Sequence, residues 1–248
     1  MSAAIKPFHF LPGNCQERLL LCDHASCEIP VELAELGLSQ TDRRRHIAWD
    51  IGAKEVAWAL AEKLDCPAFF GGVSRLVADL NRVPDSAEMV MRESDGSIVP
   101  GNCSLSDEAR GQRISQWHAP YHHAIAHHLQ TCLGRGCRPI ILSIHSFNPE
   151  LHGQSRPWPV GLLWREKAPW LEALFNQLRQ QGLNVGDNQP YDGWRSLGYT
   201  LEQHAIAHGL RYLMVEIRND QIATVQGQRA WAQTLHWALD SAGFWDAR

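Results

Sequence analysis

The chain has 248 residues, a hydrophobic share of 44%, a charged share of 20% and a formal net charge of −4. That composition belongs to a globular chain long enough to bury a sizeable core, and it offers no broad basic face for nucleic acid. Seven cysteines without a C-x-x-C pair point to reduced thiols in a cytoplasmic protein, and no run approaches the length of a membrane span.

Met1 to Gly13 carries one lysine and no long apolar run, which is not the pattern of a secretion signal. Arg18 to Cys22 reads as the first buried strand and runs into Asp23-His24-Ala25-Ser26. From Asp50 to Leu64, apolar residues at 53, 56, 57, 60, 61 and 64 form a helical stripe, with Asp50 at its entry as a candidate N-cap. Ala68 to Phe70 and Arg75 to Leu80 read as short strands, the second ending in Asn81-Arg82. Asp85 to Leu105 reads as a long loop, of a length that usually serves a site. A long helix is expected over Ser106 to Leu133, kinked or divided at Pro120 and stopped by Gly134 and Gly136.

Ile140 to Phe147 (IILSIHSF) is the central strand and delivers His145 near its end. Val160 to Trp164 reads as a strand and Pro169 to Gln181 as a helix opened by proline. A polar loop covers Gly186 to Gly198, and Thr200 with Gln203 makes a capping-box pattern for a helix to His208. Tyr212 to Ile217 is a strand carrying Glu216, and a last helix starts near Ile222 and runs to Leu239. Strands alternate with helices and no linker interrupts them. The expected architecture is therefore a single α/β domain over 1–248, a three-layer αβα sandwich around a mixed sheet.

Strand ends in such a domain converge on one edge, where ligands bind. Here they carry His24, Asn81-Arg82, His145 and Glu216. Two histidines and a carboxylate make a zinc set that leaves one position for water, and a further carboxylate beside it can take the water's proton. Glu216 sits among Leu213, Met214, Val215 and Ile217, so partial burial should raise its pKa. The run His118, His122, His123, His127, His128 has metal-compatible four-residue spacings, but no carboxylate accompanies it; it reads as a solvated helix face. Trp49, Trp58 and Trp117 are expected in the core or at its edge.

Six segments occur in one order: Leu21-Cys22-Asp23-His24-Ala25-Ser26, His46 to Ala53, Asp79-Leu80-Asn81-Arg82, Ser143 to Phe147, Arg156-Pro157-Trp158 and Val215 to Asp220. Together they resemble the N-formylglutamate amidohydrolase family, itself similar to the phosphorylase/hydrolase-like zinc carboxypeptidases. The resemblance implies Zn2+ as cofactor, with His24 and His145 as ligands and Glu216 as general base. It also implies that Asn81 and Arg82 hold a substrate carboxylate. The carboxypeptidases take their first ligands from a His-x-x-Glu, whereas His24 is followed at that spacing by Cys27, with Glu28 one step on. Asp50 is the chosen third ligand, with Glu28 and Cys27 as the alternatives. Arg156 and Arg218 are candidates for the substrate's other carboxylate, since a dicarboxylate needs two cationic contacts, with an ordinary surface arginine as the alternative reading for each; Tyr199 is a candidate hydrogen-bond donor to the substrate. The implied reaction is hydrolysis of a small N-acyl amino acid, N-formyl-L-glutamate giving formate and L-glutamate, a step of histidine degradation. A carboxypeptidase-like hydrolase of short or cell-wall peptides and a non-catalytic binding protein of the same fold are the competing readings.

Overall fold

A computed structural model describes residues 4–246, so the outermost residues of the expected 1–248 domain lie outside it. Seven strands form the main sheet: β1 (Phe8–Leu11), β2 (Arg18–Cys22), β3 (Ala68–Gly71), β4 (Ile140–Phe147), β5 (Val160–Leu163), β6 (Val185–Asp187) and β7 (Tyr212–Arg218). Their spatial order is β1-β3-β2-β4-β7-β5-β6. The pairs β3–β2, β2–β4, β4–β7 and β5–β6 are parallel; β1–β3 and β7–β5 are antiparallel, so the sheet is mixed. The short edge strands β1 and β6 are the ones the sequence pattern does not announce.

Helices cover both faces. Alternation along the strands sends Leu20, Cys22, Leu142, Ile144, Leu213 and Val215 to one side. There they pack on α1 (Ala53–Leu64), α4 (Pro169–Gln180) and α6 (Val225–Ser241). Leu19, Leu21, Ile141 and Met214 face the other side, against α3 (Ala119–Gly134) and α5 (Gly198–His204). A third apolar cluster, including Leu36, Ile47, Leu76, Met89, Val99 and Trp117, lies under the loops on either side of Ser74. No helix among the described residues is long and apolar enough to cross a membrane.

Several local expectations are overturned. Arg75 to Leu80 is not a strand. Its backbone is satisfied by turns and loops instead: Leu76 N–H donates to Ser74 Oγ, Val77 N–H to Ser74 O and Asp79 N–H to Met89 O. Asp50 is not a helix cap, because α1 is entered through Gly52 at φ 78° and has no side-chain cap. A side chain at Gly52 would be strained at that φ and would also run into Ile222 O. Thr200 opens no capping box; it lies inside α5, fully buried, and donates from Oγ1 to Asp23 Oδ1.

The long helix is continuous rather than broken at Pro120. Between α2 (Asp107–Arg113) and α3 the chain makes a π-helical turn over Ile114–His118, with Ala119 N–H donating to Ile114 O. Widening the helix by one residue accommodates the proline, which has no N–H to give and whose ring would crowd the preceding turn.

Candidate metal centre and active-site cavity

The parallel strands β2, β4 and β7 lie side by side, and their C-terminal ends bring three kinds of side chain together. His24 follows β2, while His145 and Glu216 are directly paired across β4 and β7. Asp50 arrives from the segment before α1, with its backbone N–H bonded to His24 O. All four side chains are buried: His24 3%, Asp50 1%, His145 3% and Glu216 5% exposed.

One carboxylate oxygen is the focus. Asp50 Oδ2 lies 2.8 Å from His145 Nδ1 and 3.4 Å from His24 Nδ1. It also accepts from the Ser146 backbone N–H at 3.3 Å. Ligand atoms of His24, Asp50 and His145 all lie within 4.8 Å of one another, the one such candidate metal group among the described residues. Glu28 is exposed and Cys27 packs half-buried beside the third apolar cluster, and neither joins that group.

The opposite nitrogen of each ring faces its own carboxylate. His24 Nε2 is 2.7 Å from Asp79 Oδ1. His145 Nε2 is 3.2 Å from Asp23 Oδ2, off the line of a hydrogen bond. Both carboxylates are fully buried and well supported. Asp79 takes the Asn81 N–H on Oδ1 and the Arg75 Nε and Nη2 hydrogens on Oδ2. Asp23 Oδ1 takes the Tyr121 and Thr200 hydroxyls at 2.7 and 2.9 Å. A carboxylate behind each imidazole fixes the ring's orientation and its tautomer, the arrangement usual around metal-binding histidines.

Charges in the cluster compensate one another. Burial raises the Asp50 carboxyl, but His24 and His145 outweigh it and hold it well below the usual carboxylate range. Burial likewise opposes ionisation of Asp79, and Arg75 with His24 wins, keeping it strongly acidic. Burial depresses His145, yet Asp23 and Asp50 lift it well above an ordinary histidine. Glu216 is the exception. Burial, with Asp50 adding, pushes its carboxyl up to about 8 against the pull of His145, Arg75 and Arg156. Its Oε2, like Asp50 Oδ1, has no hydrogen-bond partner despite being buried.

His24, Asp50, His145 and Glu216 line a cavity of about 330 Å3, whose wall continues through Arg75, Asn81, Arg82, Ser146, Leu163 and Met214 to the loop Tyr191–Gly198. Asn81 accepts the Thr200 N–H on Oδ1, which leaves Nδ2 without a protein partner among the described residues. Gly198, at φ 78°, packs so close to Asn81 that an added Cβ would fall 2.2 Å from Asn81 Nδ2. Arg82 Nε lies 2.7 Å from Glu88 Oε2 on the surface.

Three other sequence candidates do not line this cavity. Arg156 is buried behind it, its guanidinium 5.1 Å from the Tyr191 ring centre and 5.7 Å from that of Phe147. Tyr199 meets His118 at a tilt and His122 edge-to-face, at ring separations of 5.2 and 4.8 Å. Arg218 is paired with Asp220.

The histidine run is only partly a solvated face. His123 and His127 are exposed, but His118 and His122 are buried. His118 Nε2 lies 3.1 Å from Arg82 O and His122 Nε2 2.8 Å from Leu80 O, so both brace the backbone on either side of Asn81. His122 Nδ1 meets His204 Nε2 at 2.9 Å. Burial lowers both of these, His122 to about 3 and His204 to about 4.

Sequence reasoning did not pick out Asp23, Asp79, Arg75, Tyr191 or Arg195. The two aspartates stand inside the quoted motifs beside His24 and Asn81, so the signal was present without a role attached. Nothing in the polar loop from Gly186 distinguished Tyr191 or Arg195.

A family model for N-formylglutamate amidohydrolase matches residues 17–223. A solved structure of the gene product Atu2144 from Agrobacterium tumefaciens is 34% identical, with a TM-score of 0.88 over 96% of this chain and 94% of that one. The N-formylglutamate amidohydrolase of Ralstonia eutropha JMP134 shares the fold at 18% identity, with a TM-score of 0.74 over 97% and 98% of the two chains. No curated protein matches the sequence.

Proposed function

Because the chain belongs to the N-formylglutamate amidohydrolase family, we propose that it hydrolyses the amide of a small N-acyl amino acid, N-formyl-L-glutamate first among them, with a divalent metal held by His24, Asp50 and His145. The observation that carries this reading is the convergence of both Nδ1 atoms on Asp50 Oδ2, with Asp79 and Asp23 behind the rings. Two imidazole nitrogens and a carboxylate oxygen, backed by carboxylates, are a donor set suited to zinc. The buried Glu216 Oε2, which has no hydrogen-bond partner, further supports a polar ligand beside it.

A zinc ion, when bound, supplies Lewis-acid activation of water and of the acyl oxygen. The remaining work falls to the chain. Glu216, aligned with His145 across the two strands, takes the proton of the attacking water and delivers it to the leaving nitrogen. Asn81 Nδ2 and Arg82 hold the substrate's α-carboxylate, which orients the scissile amide. His118 and His122 keep the Asn81 segment in place through the carbonyls of Arg82 and Leu80.

A cavity of about 330 Å3 lies at the small end of the ~300–1,000 Å3 range of small-molecule sites, which favours an amino-acid-sized substrate over a peptide. The order Asn81-Arg82, His145, Glu216 along the chain also supports the carboxypeptidase-like architecture. The test uses purified protein and N-formyl-L-glutamate, with formate and glutamate release measured beside metal content. Release should be lost on chelation and restored by zinc. Absence of release with the metal bound removes the reading, as does full activity after complete chelation.

A further inference from the structure

Three arginines line the cavity, and they differ in what they already hold. Arg75 is committed: Nε and Nη2 reach Asp79 Oδ2 at 3.2 and 3.0 Å, and Nη1 is 3.5 Å from Asp50 Oδ1. Arg82 keeps Nε 2.7 Å from Glu88 Oε2. Arg195 has no carboxylate partner among the described residues and is exposed at the mouth. Asp192, in the same turn, accepts the Trp194 N–H on Oδ1 at 3.0 Å and forms no ion pair with Arg195.

The backbone that carries Arg195 is held firmly. Arg195 N–H and Ser196 N–H both bond to Asp192 O, at 3.1 and 3.2 Å, and Gly198 N–H bonds to Ser196 Oγ. Arg165 Nε donates to Gly193 O, and Trp194 meets Trp164 edge-to-face at 5.1 Å. Beyond Gly198 the chain is tied to the other carboxylate-binding residues, with Tyr199 N–H on Asn81 O and Thr200 N–H on Asn81 Oδ1. A cation without a counter-ion, on an anchored turn next to Asn81-Arg82, is preorganised for a second anionic group of the ligand.

We propose that Arg195 binds the side-chain carboxylate of the substrate and so makes the site selective for N-acyl amino acids with an acidic side chain. This rests on the deacylation reading above. The α-carboxylate is one carbon from the scissile nitrogen and falls to the half-buried Arg82, whose N–H bonds to Asp79 O beside the reacting centre. The side-chain carboxylate lies further from the scissile bond and reaches the mouth, where Arg195 stands.

The test compares N-formyl-L-glutamate with N-formyl-L-glutamine, which differ only in that charged group, on zinc-loaded wild type, Arg195→Ala and Arg195→Lys. Wild type should prefer the glutamate compound. Arg195→Ala should raise its KM by roughly 10- to 100-fold, the loss of a charged hydrogen-bonded contact, with kcat little changed. The glutamine compound should be handled as by wild type, and Arg195→Lys should keep part of the preference. Arg195 lies on the surface, so an unchanged melting temperature should accompany the kinetic effect. A wild type without preference, or an Arg195→Ala enzyme that keeps the preference or loses both substrates equally, overturns the assignment of Arg195. A metal-loaded wild type that hydrolyses neither compound removes the deacylation reading itself.

Discussion

Asp79→Asn is the most informative single change, because Asp79 joins the candidate metal site to the substrate wall. The substitution keeps the shape and one acceptor oxygen, so His24 Nε2 and the Asn81 N–H can still be met. It removes the negative charge 3.0 Å from Arg75 Nη2, and an amide N–H then faces the guanidinium. Breaking a buried ion pair from one side costs about 3–5 kcal/mol. Asp50 Oδ1, 3.5 Å from Arg75 Nη1, remains as a partner and places the cost near the lower figure. About 3 kcal/mol in a chain of 150–250 residues lowers the melting temperature by about 6–12 °C. His24 also becomes a weaker ligand without a charged carboxylate behind it, and metal affinity should fall about 10- to 100-fold. Calorimetry of the metal-free protein reads the first effect, and competition with a chromophoric chelator reads the second. If the variant melts like wild type and binds zinc as tightly, Asp79 neither neutralises Arg75 nor orients His24, and the account of the site is wrong.

Glu216→Gln should retain zinc but lose about 10²- to 10⁴-fold in turnover; metal content and formate release, measured on one preparation, check this, and retained turnover removes Glu216 from proton transfer. Tyr121→Phe takes one of two hydroxyl donors from the fully buried Asp23 carboxylate and should cost about 1–3 kcal/mol, read as a lower denaturant midpoint. His122 and His204, lowered to about 3 and about 4, stay neutral in the fold at pH values where the unfolded chain binds protons. The unfolded state therefore holds more protons on these groups between about pH 6.5 and those values, so this pair, together with His46 lowered to about 4, makes stability fall as pH drops below about 6.5, against a smaller opposite contribution from Glu216. Each histidine contributes about 1.4 kcal/mol per pH unit in that window. Urea unfolding from pH 7.5 to 5 measures the slope, and a flat profile contradicts the burial of this pair.

The central strand and its neighbours were legible because a short run opening on aliphatic residues, several of them β-branched, has few alternatives to a buried strand. Ile140 to Phe147 and Tyr212 to Arg218 form where the pattern puts them, and their register pairs His145 with Glu216. The turn at Arg75 to Leu80 was misread for the same reason. Its residues are as buried as a strand's, but they pack under loops that the sequence does not reveal until Ser74 is seen holding them. The edge strands carry too few residues for a periodic signal. His118 and His122 looked solvated because their acceptors are main-chain carbonyls far away in sequence, and a carbonyl leaves no mark in residue type. Asp50 was chosen through a family motif; its helix-cap alternative failed on Gly52, which spacing alone could not weigh.

The π-helical turn over Ile114–His118 sets more than the passage of Pro120. One extra residue in a helix of 3.6 residues per turn advances everything after it by about 100°. The turn therefore works as a phase adjuster between two lengths of helix. Before it, Arg113 is keyed to Asn102 and the satellite loops. After it, Tyr121 faces Asp23 and His122 faces Leu80 O. Without the inserted residue these two side chains would point about a quarter-turn away, one from the carboxylate behind His145 and the other from the backbone at Asn81. The rotational setting of a single helix thus reaches both the candidate metal site and the substrate wall.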